Sequence, residues 1–229
     1  MKTIGLIGGT TWVSTLDYYR VINETVKEKL EGAHSAHCIL YSVDFDEFVL
    51  QHKGKWNEIA ISFINIAKKL ERSGADFLII CANTMHKIAD DIENSVNIPL
   101  LHIVDVTAEK IIEKKLKKVG LLGTIYTMEE DFYKQRLKEK FNIETIVPNI
   151  NERKIVNDII YDELTHEIIK SSSKNKYIEI INKLVSNGAE GVILGCTEIP
   201  LLIKENDVNV PTFDTTTIHA KAAVEYALK

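Results

Sequence analysis

The chain has 229 residues, 27% of them charged, and a formal net charge of -5; it can bury a sizeable core as one large domain or two of roughly 100 residues, and its interspersed lysines and acids form no basic block for nucleic acid. No apolar stretch approaches the length of a membrane span, and MKTIGLIGGTTW meets glycines where a signal sequence would continue its apolar run. Cys38, Cys81 and Cys196 are too few and too far apart for a disulfide scaffold, so the expectation is a cytoplasmic protein with free thiols and no nucleic-acid or membrane partner.

Residues 3–7 read as a first strand, which Gly8 and Gly9 turn toward a helix beginning near Ser14. Ser14 with Asp17 gives a capping-box pattern, and Leu16, Tyr19, Ile22, Val26 and Leu30 recur at helical spacing. Residues 37–43 suggest a second strand, 59–70 a second amphipathic helix, and 76–80 a short apolar run that enters Cys81. Thr84 is placed to cap a helix through about Glu93, before Pro99 and the apolar run 100–104. Such alternation argues for parallel sheet with helices on its faces.

The pattern then restarts at KKVGLLGTIYTM, residues 117–128, with Thr127 and Glu130 as a second capping pair ahead of Phe132, Leu137 and Phe141. Residues 143–147 suggest a strand, 155–169 a helix, 171–176 (SSSKNK) a polar loop, and 177–184 the helix leading into VILGCTEIP at 192–200. Residues 211–216 read as a strand returning to the first half, with 219–228 as its covering helix.

The restart is a repeat. Gly5, Leu6, Gly8 and Gly9 correspond to Gly120, Leu121, Gly123 and Thr124, each 115 positions on, and the same displacement relates Cys81 to Cys196. GADFLIIC at 74–81 also matches GAEGVILGC at 188–196 with one inserted residue. Two related α/β halves follow: a first domain over 1–98, a second over 99–210, and a C-terminal return to the first domain over 211–229. If the halves face each other across a pseudo-twofold axis, the two cysteines become an opposed pair.

Two opposed sulfurs suit proton transfer. A thiolate is a base and a nucleophile, and a thiol on the other face of the ligand is an acid; together they can take a proton from one side of a carbon and return one to the other, with coupled titrations. Backbone N–H groups at the two helix starts, with Asn83, Thr84, Thr124 and Thr197, are placed to hold an α-carboxylate, and Gly9 and Thr10 allow close substrate approach at the first turn. Glu198 is a candidate for an ammonium or for orienting a neighbour. The plainer reading of Asn83, Thr84, Thr197 and Glu198 is as turn and cap residues, and that of Cys38, within AHCILY, is as a small buried hydrophobe.

His86 and His219 are candidates for catalytic support against a structural alternative, while His52, Lys53 and Lys154 are candidates for attracting a substrate carboxylate against a solvated surface. Arg20 and Arg153 are similarly ambiguous. No Cys/His spacing suits zinc. The glycines form neither GxGxxG nor a Walker pattern, so no dinucleotide site is expected. Pyridoxal phosphate is not required, and removal of an unactivated α-proton without a cofactor then demands electrostatic preorganisation.

GLIGGTTWVSTLDYYRVIN (5–23), SVDFDE (42–47), CANTMHKIAD (81–90), LLGTIYTMEEDFY (121–133) and GCTEIPLLI (195–203) together resemble the aspartate/glutamate racemase family over nearly the whole chain, in its cofactor-independent branch. The resemblance implies two Rossmann-like domains with an interdomain active site, often in a homodimer. It also implies catalysis by Cys81 and Cys196, and carboxylate binding by Asn83, Thr84, Thr124 and Thr197. Aspartate and glutamate are the first substrates implied; broad-spectrum relatives act on neutral or basic amino acids, and other branches isomerise maleate, racemise hydantoins or decarboxylate with one cysteine. GGTTW departs from the GGM-type start of many relatives, which leaves the substrate pocket open. A two-lobed binding protein without turnover is the non-enzymatic alternative.

Overall fold

The computed structural model describes residues 1–46 and 54–229. It divides into two compact units, one of Met1–Ile103 with Thr216–Lys229, the other of Val104–Thr215. The first unit runs β1 (Ile4–Gly8), α1 (Trp12–Leu30), β2 (Cys38–Ser42), α2 (Trp56–Arg72), β3 (Phe77–Ile80), a 3-10 turn over Thr84–Ile88, and α3 (Ala89–Glu93). The second begins at α4 (Ile103–Glu113) and continues with β4 (Lys118–Gly123), α5 (Ile125–Glu129), α6 (Asp131–Phe141), β5 (Glu144–Ile146), α7 (Ile150–Asp162), α8 (Ser171–Ser186), β6 (Val192–Gly195), α9 (Ile199–Leu202) and β7 (Thr212–Asp214). Helix α10 (Thr215–Leu228) then carries the chain back into the first unit.

Both sheets are parallel, in the orders β2-β1-β3 and β5-β4-β6-β7. The repeat seen in the sequence is thus a repeat of topology, in which the first strand of each unit lies between its second and third. Successive side chains of a strand point to opposite faces, so a sheet covered on both sides needs unbroken apolar runs. In the first unit Ile4, Leu6, Phe77 and Ile79 pack with Tyr18, Ile22 and Val26 of α1 and with Ala220, Ala223 and Val224 of α10. Ile7, Leu78 and Ile80 pack on the other face against Ile59, Phe63, Ile66 and Leu70 of α2, an amphipathic spacing. In the second unit Leu122, Val192 and Leu194 meet Val156 and Ile159 of α7 and Tyr177, Ile181 and Leu184 of α8. Each of these large apolar side chains contributes about 1.5–3 kcal/mol by leaving water.

Several local expectations are corrected. The stripe on α1 that faces the core is Tyr18, Val21, Ile22, Thr25 and Val26, while Leu16, Tyr19 and Leu30 are exposed. The cap of α1 is Thr11, which accepts from Ser14 N–H. The cap of α5 is Thr124 and not Thr127. Residues 171–176 are the opening turns of α8, where Ser173 is buried and donates to Glu163 at 2.6 Å. The helix expected over 155–169 starts earlier and ends at Asp162. The apolar run 100–104, to which the sequence assigns no element, makes one parallel bridge from Leu100 to Leu78 and enters α4 at Ile103. Finally, β7 pairs with β6 in the second sheet, so 211–215 belong to the second unit, and the first expected boundary moves from 98 to 103. No described helix is long and apolar enough to cross a membrane.

Candidate active site

In each unit the central strand ends in glycine and its neighbour ends at a cysteine. β1 ends in Gly8, and Cys81 prolongs the ladder one residue past β3 by donating its N–H to the Ile7 carbonyl at 2.9 Å. β4 ends in Gly123, paired with Gly195 one residue before Cys196. Loops at the carboxyl ends of parallel strands are where open α/β sheets hold ligands.

At the first thiol, the chain after β1 turns through Gly9 at φ 89°, and Gly9 N–H donates to Thr15 Oγ1 at 2.8 Å. The next residue, Thr10, is buried, and its hydroxyl has no hydrogen-bond partner among the described residues. Such a group is costly unless a ligand or water satisfies it. Cys81 is wholly buried among the apolar side chains of β1, β3, α1 and α10. Burial in this apolar setting, with a smaller contribution from Cys38, pushes its thiol far above the ordinary range. Asn83, two residues on, is buried, and Thr84 opens the 3-10 turn half-buried.

The second thiol has a different neighbour. Cys196 Sγ donates to Glu198 Oε2 at 2.9 Å, and Thr197 Oγ1 donates to the same oxygen at 2.8 Å. All three residues are buried. Burial first, and then the adjacent Glu198 carboxylate, push the Cys196 thiol well above its ordinary range. Thr124 lies at the end of β4, its Oγ1 accepting from Thr127 N–H and 3.2 Å from Thr127 Oγ1. Both thiols are therefore favoured in the protonated form, one by an apolar shell and the other with a carboxylate at hand.

His86 and His219 are buried in the first unit. His86 contacts the Ala82 carbonyl through Nδ1 at 2.8 Å, and its Nε2 faces Ile103 N–H at 3.2 Å. A carbonyl can only accept and an amide N–H can only donate, so the ring is the neutral Nδ1–H tautomer. His219 is arranged the other way: Nε2–H donates to the Leu101 carbonyl at 2.8 Å, and Nδ1 accepts from Tyr18 Oη at 2.9 Å. Burial depresses His219 to about 4, against a smaller upward pull from Leu101. The unfolded chain therefore binds this proton near pH 6.5 and the folded chain does not until about 4, so stability falls as pH drops through that window. Urea melts should show a loss of about 2 kcal/mol between neutral pH and about pH 4.5, and a His219→Gln variant should show a shallower slope. An unchanged slope in the variant would refute this assignment.

Residues 7–223 match the family described as Asp/Glu/Hydantoin racemase. The chain belongs to this family. A crystal structure from Yersinia pestis, provisionally described as an Asp/Glu racemase, is 53% identical over 100% of both chains with a TM-score of 0.94. An aspartate racemase homologue from Pyrococcus horikoshii OT3 is 44% identical, again over 100% of both chains, at a TM-score of 0.88. The broad specificity amino-acid racemase RacX of Bacillus subtilis (strain 168) is 25% identical over 232 residues, which is 96% of each chain. The protein is thus an isomerase of the racemase family.

Within this racemase framework, Gly9, Thr10, Cys81, Asn83 and Thr84 cluster at one sheet edge of the first unit, and Thr124, Cys196, Thr197 and Glu198 at the corresponding edge of the second. His86 and His219 lie in the first unit, with ring centroids 5.8 Å apart. Lys154 is exposed and pairs with Asp158 one turn along α7. His52 and Lys53 lie outside the described residues. Sequence reasoning missed Tyr18, which bonds His219, and Tyr161, pushed up to about 12 chiefly by burial. Their signal in the sequence was only a tyrosine on a helix. Among the described residues no group of three or more His, Cys, Asp or Glu is placed to hold a metal ion.

Proposed function

We propose that the protein racemises an α-amino acid, aspartate or glutamate first, with Cys81 and Cys196 as the two proton-transfer groups. The reading is carried by the matched placement of the two thiols, each at the end of the corresponding strand in its unit, in a chain of the racemase family. The reaction asks for one sulfur on each face of the α-carbon. Both thiols rest protonated, so a base must first be made, and Glu198 supplies the route: the Cys196 proton passes along its existing hydrogen bond to Oε2, leaving a thiolate and a neutral acid.

The Cys196 thiolate then removes the α-proton of one enantiomer, and the electron pair from the C–H bond moves toward the α-carboxylate. Hydroxyl and amide donors of Thr10, Asn83, Thr84, Thr124 and Thr197 hold that carboxylate and stabilise the charge that grows on its oxygens. The Cys81 thiol protonates the opposite face. The protein is left with a Cys196 thiol and a Cys81 thiolate, the form that accepts the other enantiomer. A homodimer acting in the cytoplasm is part of the same proposal.

The similarity to a relative named for broad specificity supports a second substrate range, neutral and basic amino acids. Incubating single enantiomers of aspartate, glutamate and a neutral and basic panel in deuterated water separates these. The expected result is formation of the opposite enantiomer with deuterium at Cα, fastest for aspartate or glutamate. Inversion of none of them would reject the racemase reading, and inversion without solvent deuterium would reject proton transfer.

A further inference from the structure

The chain leaves the first unit after Ile103 and returns at Thr216. The three residues before the departure point are bracketed by the two buried histidines in opposite tautomers. His219 Nε2–H holds the Leu101 carbonyl, and His86 Nε2 accepts the Ile103 N–H. Between them His102 is buried, its ring centroid 4.6 Å from that of His86. On its other side His86 holds the Ala82 carbonyl, in the second peptide after Cys81. The Cys81 N–H closes the ladder at Ile7, and the chain then passes from β3, which ends at Ile80, to the 3-10 turn that opens at Thr84.

We infer that His86 is the positioning residue of Cys81, a neutral imidazole that ties the Ala82 carbonyl, one residue past the thiol, to the 101–103 segment and so sets the direction of the sulfur. An imidazole suits the task because one rigid ring carries a donor and an acceptor on separate atoms. Neither group touches a reacting atom, so the effect passes through Cys81 alone. Cys196 obtains its own partner locally, from Glu198 two residues on, and is independent of His86.

The inference deepens the proposed function, but it is testable without turnover. Native protein is alkylated with iodoacetamide, and the modification rates of Cys38, Cys81 and Cys196 are read peptide by peptide. His86→Phe keeps the ring volume and removes both nitrogens, which releases two hydrogen bonds; Cys81 is expected to react about tenfold faster, with Cys38 and Cys196 within about twofold of wild type. His86→Gln retains a donor and an acceptor and should recover most of the protection. If the phenylalanine variant does not fold, His86→Asn, too short to span both partners, is judged by the same criteria.

An unchanged Cys81 rate would overturn the inference, as would equal acceleration of all three cysteines, the mark of general loosening. In the racemisation assay the phenylalanine variant should lose kcat with little change in KM, and glutamine should rescue it. A wild-type protein that inverts no amino acid would sink the proposed reaction while leaving the alkylation result to decide the role of His86.

Discussion

Replacing Cys196 by serine is expected to reduce racemisation by about 10³-fold, and replacing Cys81 by serine to do the same, in line with loss of a general acid or base. Serine keeps the shape and hydrogen-bonding capacity of cysteine but ionises far less readily, so the chemistry fails while the scaffold survives. The two variants should differ in stability. In Cys196→Ser the new hydroxyl still has Glu198 as an acceptor, the partner that Cys196 uses now, and melting behaviour should stay near wild type. Cys81→Ser places a hydroxyl in the apolar cluster of Tyr18, Phe77, Ile79 and Ala220 at a cost of about 1–3 kcal/mol. Chiral chromatography of the product and urea denaturation of the same preparations check both parts. Activity within tenfold of wild type in either variant would end the two-thiol mechanism.

The second large effect is structural. Gly9→Ala puts a Cβ 2.2 Å from the Val43 carbonyl oxygen and 2.3 Å from Val43 N, at a φ of 89° that L side chains rarely adopt. The obstructing atoms are backbone, so no rotamer change relieves them, and the β1 to α1 turn must move together with Thr10. Combining left-handed strain with overpacking gives a loss of about 2–5 kcal/mol. Gly32→Ala is the matched control: its φ is 59°, but a Cβ there meets nothing within 4 Å, so it should cost only about 1 kcal/mol. Equal losses in the two variants would show that the contact with Val43 is tolerated.

What could be read from the sequence follows from how far each signal reaches along the chain. Strands β1, β3, β4 and β6 announced themselves because burial on both faces forces unbroken apolar runs, and the cysteines because a duplicated unit repeats its landmarks at a fixed offset. The run 100–104 looked no different, since an apolar run fits a buried helix start as well as a strand; here one bridge to Leu78 pairs Leu100, while His219 takes the Leu101 carbonyl and His86 the Ile103 N–H. The serines of 171–176 resemble a loop in composition, yet they form an exposed first helical turn with one buried hydroxyl on Glu163.

The outward side of α1 was misjudged because Leu16 and Tyr19 satisfy helical spacing while lying one step around from Tyr18 and Ile22. The environment of the thiols was less legible still. Tyr18 and His219 are 201 positions apart, and the contact of Cys196 with Glu198 depends on the particular turn that follows Gly195, which no periodicity encodes.

The interleaved course of the chain also orders events during synthesis. The Val104–Thr215 unit is continuous and can close its core as soon as β7 has emerged from the ribosome. The unit bearing Cys81 was begun earlier but is finished later, because the face formed by Ile4, Leu6, Phe77 and Ile79 lacks Ala220, Ala223 and Val224 until α10 arrives. Until then its apolar surface is the nascent chain's exposed risk, and the helix that shields β1 is made only after the whole second unit.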